Sequence, residues 1–322
     1  MSKNLPQNYT RRDFTKIAAL GVAATPFLNF QNGYARNLMS TSNDLEVHLF
    51  SKHLQFLNYD EMSKAAADIG FEGLDLTVRR KGHVLPENVK EDLPKAVSAM
   101  RKHGLSVKMM STNVWDAKDT VNKNVIETAG ELGFTHYRTD WLKYPEDTSI
   151  EESQLLFGKQ ARKLEQLNKK NGLIGGYQNH AGKNVGAPIW DLIPILEVTN
   201  GENFGCQYDI RHAVVEGAGS WELGLKKILP YINSIVIKDF KWGNKNGKMK
   251  LVNVPLGEGM VDFKHYFSIL KRNNINVPVS LHLEYSLGGA EKGKKNISMS
   301  KNEIFSYMKK DLTYLRETWK NA

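Results

Sequence analysis

The chain has 322 residues, of which 41% are hydrophobic and 25% are charged, and its formal net charge is +9. This is an ordinary globular composition with enough apolar residues for one large core, and no basic stripe with interleaved aromatic residues indicates nucleic-acid binding. Cys206 is the only cysteine, which excludes an intramolecular disulfide and a metal site built from cysteines.

The first 35 residues have the pattern of an export signal. A twin-arginine segment, TRRDFTK (10–16), precedes IAALGVAATPFL, an apolar run of 12 residues that is too short to span a bilayer. The small residues Gly33 and Ala35 provide a cleavage site, and no cysteine follows the apolar run to carry a lipid. The sequence therefore predicts a twin-arginine signal peptide over 1–35, no membrane anchor, and export of the mature chain 36–322 to a periplasm.

After residue 44 the chain alternates between short β-type segments and amphipathic stretches. Segments rich in β-branched or aromatic residues predict eight strands. They lie at 45–50, 71–78, 105–111, 135–139, 173–179, 204–209, 232–239 and 279–284. Four of the amphipathic stretches end at a glycine, as at Gly70 and Gly172, which predicts helix C-caps at these positions.

Eight such units predict an α/β fold, a single (β/α)8 TIM barrel, rather than a doubly wound open sheet. No G-x-G-x-x-G segment follows a strand and no P-loop motif is present, so no nucleotide cofactor is expected. Active sites of this fold lie at the carboxyl ends of the strands. Most predicted strands end in charged or hydrogen-bonding side chains, namely His48, Asp75, Arg138, Asp140, Gln178, Asn179, His180, Asp209, His212, Lys238, Asp239 and Glu284.

Four stretches occur in a distinctive order: GLIGGYQNHAG (172–182), YDIRHAVVEGAG (208–219), PLGEGMVDFKHYFSIL (255–270) and VSLHLEY (279–285). Together with the Lys238-Asp239 pair, they resemble the sugar isomerase/epimerase family with the xylose-isomerase-like TIM barrel, within the AP endonuclease family 2 superfamily. The resemblance runs from about residue 45 to the C-terminus. It is specific to the superfamily and not to one substrate.

The resemblance implies one divalent metal ion, held by Glu, Asp, His and Glu from strands five to eight, and two glutamates that move a proton next to the substrate carbonyl. This chain matches the family at Asp209 and Glu284. It has Gln178 where a glutamate is usual and Val236 where the histidine is usual. Valine cannot bind a metal, and glutamine brings no charge and cannot act as a base. The sequence leaves open whether Gln178, Asp209 and Glu284 hold Mn, Co, Mg or Zn, or whether Lys238 takes the place of the ion.

What remains is a one-sided acid/base site. We expect Glu284 to be the base, Lys238 to be an acid or an electrostatic clamp for an enolate, and His212 to shuttle a proton or hold a hydroxyl group. Side chains that suit substrate binding are His48, Arg138, Asp140, His180, Asp239 and Trp242.

These residues predict an exported isomerase or epimerase that transfers a proton next to a carbonyl on a carbohydrate or keto-sugar. Two alternatives stay open: a lyase or hydratase on 3-keto-glycosides, which needs one acid and one base, and a sugar-binding barrel without catalysis. An apurinic endonuclease is disfavoured, because it needs a three-metal cluster rich in histidine and carboxylates. The insert at 240–278 either caps the site or contacts another copy of the chain, so a homo-oligomer also stays open.

Overall fold

The computed structural model describes residues 44–322, and the predicted signal peptide lies outside this range. Eight parallel strands form a closed barrel in the ring order β1-β2-β3-β4-β5-β6-β7-β10, which confirms the predicted TIM barrel. The barrel strands are β1 (Val47–Phe50), β2 (Gly73–Val78), β3 (Ser106–Thr112), β4 (His136–Arg138), β5 (Ile174–Gln178), β6 (Phe204–Asp209), β7 (Ile232–Ile237) and β10 (Val279–Leu281).

The helices surround this barrel and alternate with its strands along the chain. They are α1 (Tyr59–Ile69), α2 (Val89–Lys102), α3 (Thr120–Glu131), α4 (Ile150–Lys170), α5 (Ile193–Leu196), α6 (Ile210–Gly217), α7 (Trp221–Ile228), α8 (Phe263–Arg272) and α9 (Lys301–Lys320). Short 3₁₀ segments lie at Ser51–Leu54, Pro86–Asn88, Ile189–Leu192, Ala218–Ser220, Leu229–Tyr231 and Ala290–Lys292. Within residues 44–322, no helix has the length and apolar character that crossing a bilayer requires.

Local signals in the sequence explain where these helices begin and end. Asn58 and Ser149 each form a capping box at the start of α1 and α4, in which the side chain of the cap accepts from the third helical N–H and the glutamate there accepts from the N–H of the cap. Gly70 ends α1 with a φ of 102°, and Gly172 follows α4 with a φ of 68°. Both values lie in the left-handed region that glycine adopts without steric cost, as the sequence predicted.

The barrel strands are buried along most of their length, and β2 and β6 are buried at every position. Such continuous burial is expected of parallel strands that helices cover. The last strand, β10, ends at Leu281 instead of at residue 284 as predicted. Glu284 therefore lies three residues beyond the strand, at the carboxyl end of the barrel.

An antiparallel hairpin follows β7 directly and was not predicted. It consists of β8 (Asp239–Lys245) and β9 (Lys248–Val254), which pair from Asp239 with Val254 to Lys245 with Lys248. The basic GNKNGKMK segment forms the tip of this hairpin. The first part of the insert at 240–278 is thus a two-stranded sheet, and α8 lies in its second part.

Candidate active site

A cleft of about 60 Å³ opens at the carboxyl ends of the barrel strands. It contains five of the residues that the sequence predicted and several that it did not. The predicted ones are Arg138, Gln178, His180, Lys238 and Glu284. The others are Phe50, Lys52, Arg79 and His282, together with Trp141, which the sequence indicated as an alternative to Trp242 for stacking on a sugar ring.

Lys238 is the centre of the polar side chains beside this cleft. It follows β7, and its side chain is only 3% exposed. Its Nζ lies 2.9 Å from His212 Nε2, 3.1 Å from Asp209 Oδ2 and 3.7 Å from Glu284 Oε2. All three predicted catalytic residues, together with Asp209, therefore meet at one ammonium group.

The Asp-x-x-His spacing is that of a helix N-cap. Asp209 ends β6 and caps α6, and its Oδ1 accepts a hydrogen bond from the backbone N–H of His212 at 3.1 Å. Asn179 holds the backbone of Asp209 from the other side, because its amide donates to Asp209 O at 3.0 Å and accepts from Asp209 N at 2.7 Å. These bonds leave Asp209 Oδ2 directed at Lys238.

The imidazole of His212 lies between two basic side chains. Its Nε2 faces Lys238, and its Nδ1 lies 3.0 Å from the guanidinium of Arg211. Burial and then the charge of Lys238 lower the pKa of His212 well below its usual value. The ring is therefore neutral, and its unprotonated nitrogen accepts a hydrogen bond from one of these two neighbours.

Gln178 connects Asp209 to the arginine side of the cleft. Its Nε2 donates to Asp209 Oδ2 at 2.8 Å, and its Oε1 accepts from Arg138 at 3.4 Å. Because Arg138 can only donate, it fixes the amide with its N–H toward the aspartate. The guanidinium of Arg138 also lies 4.0 Å from the ring centroid of Trp141, which is a cation–π contact.

Glu284 is the carboxylate that lines the cleft. Its Oε1 lies 3.3 Å from Lys52 Nζ, and its Oε2 lies 3.7 Å from Lys238 Nζ. Burial alone would raise the pKa of Glu284, but the charges of Lys238 and Lys52 hold this pKa well below its usual value. Glu284 is thus ionised at neutral pH and free to accept a proton, although its basicity is reduced.

His282 is the main residue of the site that sequence reasoning missed. Its ring stacks on Phe50 with centroids 4.1 Å apart, and its Nδ1 lies 3.8 Å from Glu284 Oε1. Its Nε2 lies 3.1 Å from Ser280 Oγ, and this hydroxyl donates to Asp75 Oδ2 at 2.6 Å. Burial lowers the pKa of His282 to about 3, so the ring is neutral. His282 stands two residues before Glu284, and this period-2 spacing at a strand end was the signal available in the sequence.

The structure brings two of the predicted substrate-binding residues to the cleft, Arg138 and His180. The ring of His180 packs against Trp141 and His212, with centroids 4.9 and 3.9 Å apart. Burial and the charge of Lys238 lower the pKa of His180. Asp140 lies beside the cleft, where its Oδ1 accepts from Asn113 at 2.9 Å.

The other three predicted substrate-binding residues lie elsewhere. His48 is fully buried, with its Nε2 3.2 Å from Ser106 Oγ at the start of β3. Trp242 is on the hairpin and is 45% exposed. Asp239 points away from Lys238 and accepts four backbone N–H bonds of 2.8–3.2 Å, from Phe240, Gly257, Gly259 and Val261. Asp239 therefore organises the Gly-Glu-Gly loop at 257–259. The prediction that His48, Asp239 and Trp242 bind substrate is not supported, because none of them lines the cleft.

A family model described as "Xylose isomerase-like TIM barrel" matches residues 63–302. The chain belongs to this family. The match confirms the family resemblance that the strand-end motifs indicated. No curated protein matches the chain.

Members of this fold among the solved structures include a dehydratase and an epimerase. The probable 3-DHS dehydratase AsbF from Bacillus anthracis is 16% identical, with 84% of this chain and 98% of that chain covered and a TM-score of 0.59. The 3-keto-D-glucoside 4-epimerase YcjR from E. coli is 12% identical, with 85% and 99% covered and a TM-score of 0.61. A xylose isomerase-like protein from Mycobacterium smegmatis in complex with magnesium is 15% identical, with 83% and 98% covered and a TM-score of 0.60. At these identities the likeness establishes the fold.

The side chains of this chain do not fit the divalent ion that the family resemblance implies. Among residues 44–322, no group of three or more His, Cys, Asp or Glu side chains is arranged to hold a metal ion. Asp209 Oδ2 is bonded to Lys238 and to the amide N–H of Gln178, so its lone pairs face proton donors. Val236, at the position of the family histidine, is fully buried. The predicted metal ligands Gln178, Asp209 and Glu284 thus surround or adjoin an ammonium group instead of forming a ligand set.

Proposed function

We propose that this protein is a sugar-modifying enzyme that removes a proton from the carbon next to the carbonyl of a keto-sugar. Glu284 takes the proton, and the electron pair of the broken C–H bond moves to the carbonyl oxygen, which becomes an enolate oxygen. Lys238 stabilises this oxygen with its ammonium charge. The observation that carries the proposal is the 3.7 Å separation of Lys238 Nζ from Glu284 Oε2, because it sets a base and a cationic stabiliser side by side in one cleft.

The ammonium group of Lys238 also explains how Glu284 can act as a base although its pKa is lowered. The low pKa of Glu284 makes proton abstraction from an unactivated carbon difficult. A cation next to the carbonyl oxygen lowers the free energy of the enolate more than that of the neutral ketone, so it acts where charge develops. Lys238 is held for this task by Asp209 and His212.

Elimination is the second candidate reaction, and one feature of the cleft favours it. Among residues 44–322, Glu284 is the only carboxylate that lines the cleft, and the side chain at the position of the usual strand-five glutamate is Gln178. Glutamine cannot return a proton to the opposite face of the carbon. In an elimination, Glu284 removes the proton, the enolate re-forms the carbonyl while a C=C bond forms to the next carbon, and the C–O bond at that carbon breaks. Lys238 is positioned to protonate the departing hydroxyl or alkoxy oxygen.

The test is hydrogen exchange on keto-sugars in D₂O, followed by proton NMR. D-fructose, D-allulose and a methyl 3-keto-glucoside are incubated with the purified chain. We expect deuterium to replace the hydrogen next to the carbonyl, and Glu284→Gln to slow this exchange by about 10²–10⁴-fold. Glu258→Gln is the matched control, because Glu258 is a surface residue paired with Lys310 and does not line the cleft.

The outcomes separate the candidates. Exchange without loss of water indicates isomerase or epimerase chemistry, whereas an unsaturated product with one water fewer, detected by mass spectrometry, indicates a lyase. Full activity of Glu284→Gln refutes the assignment of the base. If the protein binds these keto-sugars but exchanges the hydrogen of none of them, it is a carbohydrate-binding barrel without catalytic activity.

Export is a separate part of the proposal and rests on the sequence TRRDFTK at 10–16. We propose that the twin-arginine route carries the folded chain to the periplasm. Replacing Arg11 and Arg12 with lysine should retain the precursor inside the cell, as measured by fractionation and immunoblotting. An unchanged periplasmic fraction argues against this route.

A further inference from the structure

Two arginine side chains, Arg79 and Arg138, line the cleft and form no ion pair with any of residues 44–322. Arg138 donates to two neutral acceptors, Thr112 O at 3.3 Å and Gln178 Oε1 at 3.4 Å. Within residues 44–322, the side chain of Arg79 makes neither a hydrogen bond nor an ion pair, and its guanidinium lies 5.5 Å from the ring centroid of Phe50. The Nε atoms of both arginines are buried without a partner.

The carboxylates whose charge acts on these guanidinium groups are occupied by other donors. Asp75 accepts from Ser111 at 2.9 Å and from Ser280 at 2.6 Å. Asp140 accepts from Asn113 at 2.9 Å, and Glu284, whose charge also acts on Arg79, is paired with Lys52 at 3.3 Å. The two guanidinium groups also repel each other, since burial and then the charge of Arg79 lower the pKa of Arg138, to about 10. Two like charges are thus held at one cleft without a direct counter-ion, an arrangement that a bound anion would relieve.

We propose that Arg79 and Arg138 bind a carboxylate group of the substrate, so that the carbohydrate is a sugar acid. This inference rests on the proposed function, because it takes the cleft to be the sugar site. Guanidinium forks match the planar carboxylate and can donate two parallel hydrogen bonds to it.

The position of Arg79 is rigid enough for such a role. It directly follows β2, its backbone N–H donates to Val84 O at 3.0 Å, and its carbonyl accepts from Gly82 N at 2.8 Å. Because the backbone of Arg79 is held in place, binding of an anion has to order only its side chain. With the carboxylate anchored at the arginines, the rest of the sugar is directed toward Lys238 and Glu284, which line the same cleft.

Binding of D-glucuronate and D-glucose tests the proposal, because these sugars differ by a carboxylate in place of a hydroxymethyl group. Isothermal titration should give about 10–100-fold tighter binding of glucuronate, as expected for hydrogen bonds to charged groups. Arg79→Met should remove most of this preference, and Arg79→Lys, which keeps the charge but not the fork, should retain part of it. Arg80→Met is the control, because Arg80 is exposed and pairs with Asp140 at 3.5 Å. Circular dichroism checks that each variant is folded.

Equal affinities for glucose and glucuronate would overturn the proposal, and so would an unchanged preference in folded Arg79→Met. Tight binding of glucose 6-phosphate without binding of glucuronate would also overturn it and would indicate a phosphate site. The proposed function can fail independently of this proposal. If glucuronate binds as expected but no keto-sugar exchanges deuterium, the carboxylate site is supported and the proposed proton transfer is contradicted.

Discussion

The substitution Lys238→Met tests whether the ammonium group holds the site together. It keeps an unbranched side chain of similar length and removes the charge between Asp209 Oδ2, at 3.1 Å, and Glu284 Oε2, at 3.7 Å. At an effective dielectric constant of about 20, the two attractions amount to about 5 and about 4 kcal/mol. Desolvation of the buried ammonium offsets several kcal/mol, and breaking a buried pair typically costs about 3–5 kcal/mol. We expect the free energy of unfolding to fall by this last amount at pH 7.

The free energy of unfolding that Lys238→Met loses should increase with pH. In the native chain the pKa of Glu284 is held below its ordinary value, so the carboxylate contributes stability above about pH 4.5 that disappears as the pH falls through the folded-state pKa. Without Lys238 the pKa of Glu284 should rise, because only Lys52 and His282 then oppose the effect of burial. The carboxylate of the variant therefore takes up its proton at a higher pH than that of the native chain. The difference between native chain and variant should therefore be larger at pH 8 than at pH 5.

Urea unfolding followed by circular dichroism at pH 8, 7 and 5 measures these differences. Lys52→Met is the matched control, because Lys52 Nζ lies 3.3 Å from Glu284 but its side chain is 17% exposed, against 3% for Lys238. We expect this control to lose about 1 kcal/mol or less. A loss below about 1 kcal/mol for Lys238→Met at pH 7, or a loss that does not shrink at pH 5, would refute the assignment of Lys238 as the central charge.

Three further predictions concern the ion, the loop and a buried acid. Dialysis against EDTA should change neither the melting temperature nor the deuterium exchange rate, and a fall in either would indicate a bound ion. Asp239→Asn should lower stability by about 2–3 kcal/mol in urea unfolding, because its amide N–H groups would face the backbone donors of the 255–261 loop; an unchanged midpoint would contradict this scaffold role. Burial raises the pKa of Asp311 to about 7, so the folded chain keeps a proton that the unfolded chain releases above about pH 4. Stability should fall between these pH values by about 1.4 kcal/mol per unit of pKa difference, and Asp311→Asn should remove that slope in melts from pH 4 to pH 8.

The sequence predicted the barrel because its local signals agree with the global fold. β-branched and aromatic runs marked the strands, and glycines at 70 and 172 marked helix ends that have positive φ in the structure. The hairpin after β7 was missed because its strands carry the lysine-rich segment KNGKMK, which is typical of a solvated loop. Antiparallel pairing from Asp239 to Val254 overrides that composition.

The site was harder to predict, because neighbouring residues at a strand end point to opposite sides. Lys238 faces the cleft, whereas Asp239 turns to the 255–261 loop, yet the sequence placed both in the site. Strand alternation separates them, since residues two apart share a face. His282 and Glu284 have the same two-residue spacing just beyond β10, and both line the cleft. Strand alternation does not find Arg79, which lies in the loop after β2, where a turn sets the direction of the side chain.

The two departures from the family motif have one physical explanation. Without an ion, a glutamate at position 178 would place a carboxylate beside Asp209 Oδ2, where the amide of Gln178 now donates a hydrogen bond, and a buried like-charge pair is unfavourable. Gln178 instead donates to Asp209 at 2.8 Å and accepts from Arg138, so both ends of its amide are satisfied. Val236 removes the imidazole that would prefer a metal and adds to the apolar wall of the barrel. Gln178 and Val236 therefore both fit a site in which Lys238, instead of an ion, offsets the charge of Asp209 and Glu284.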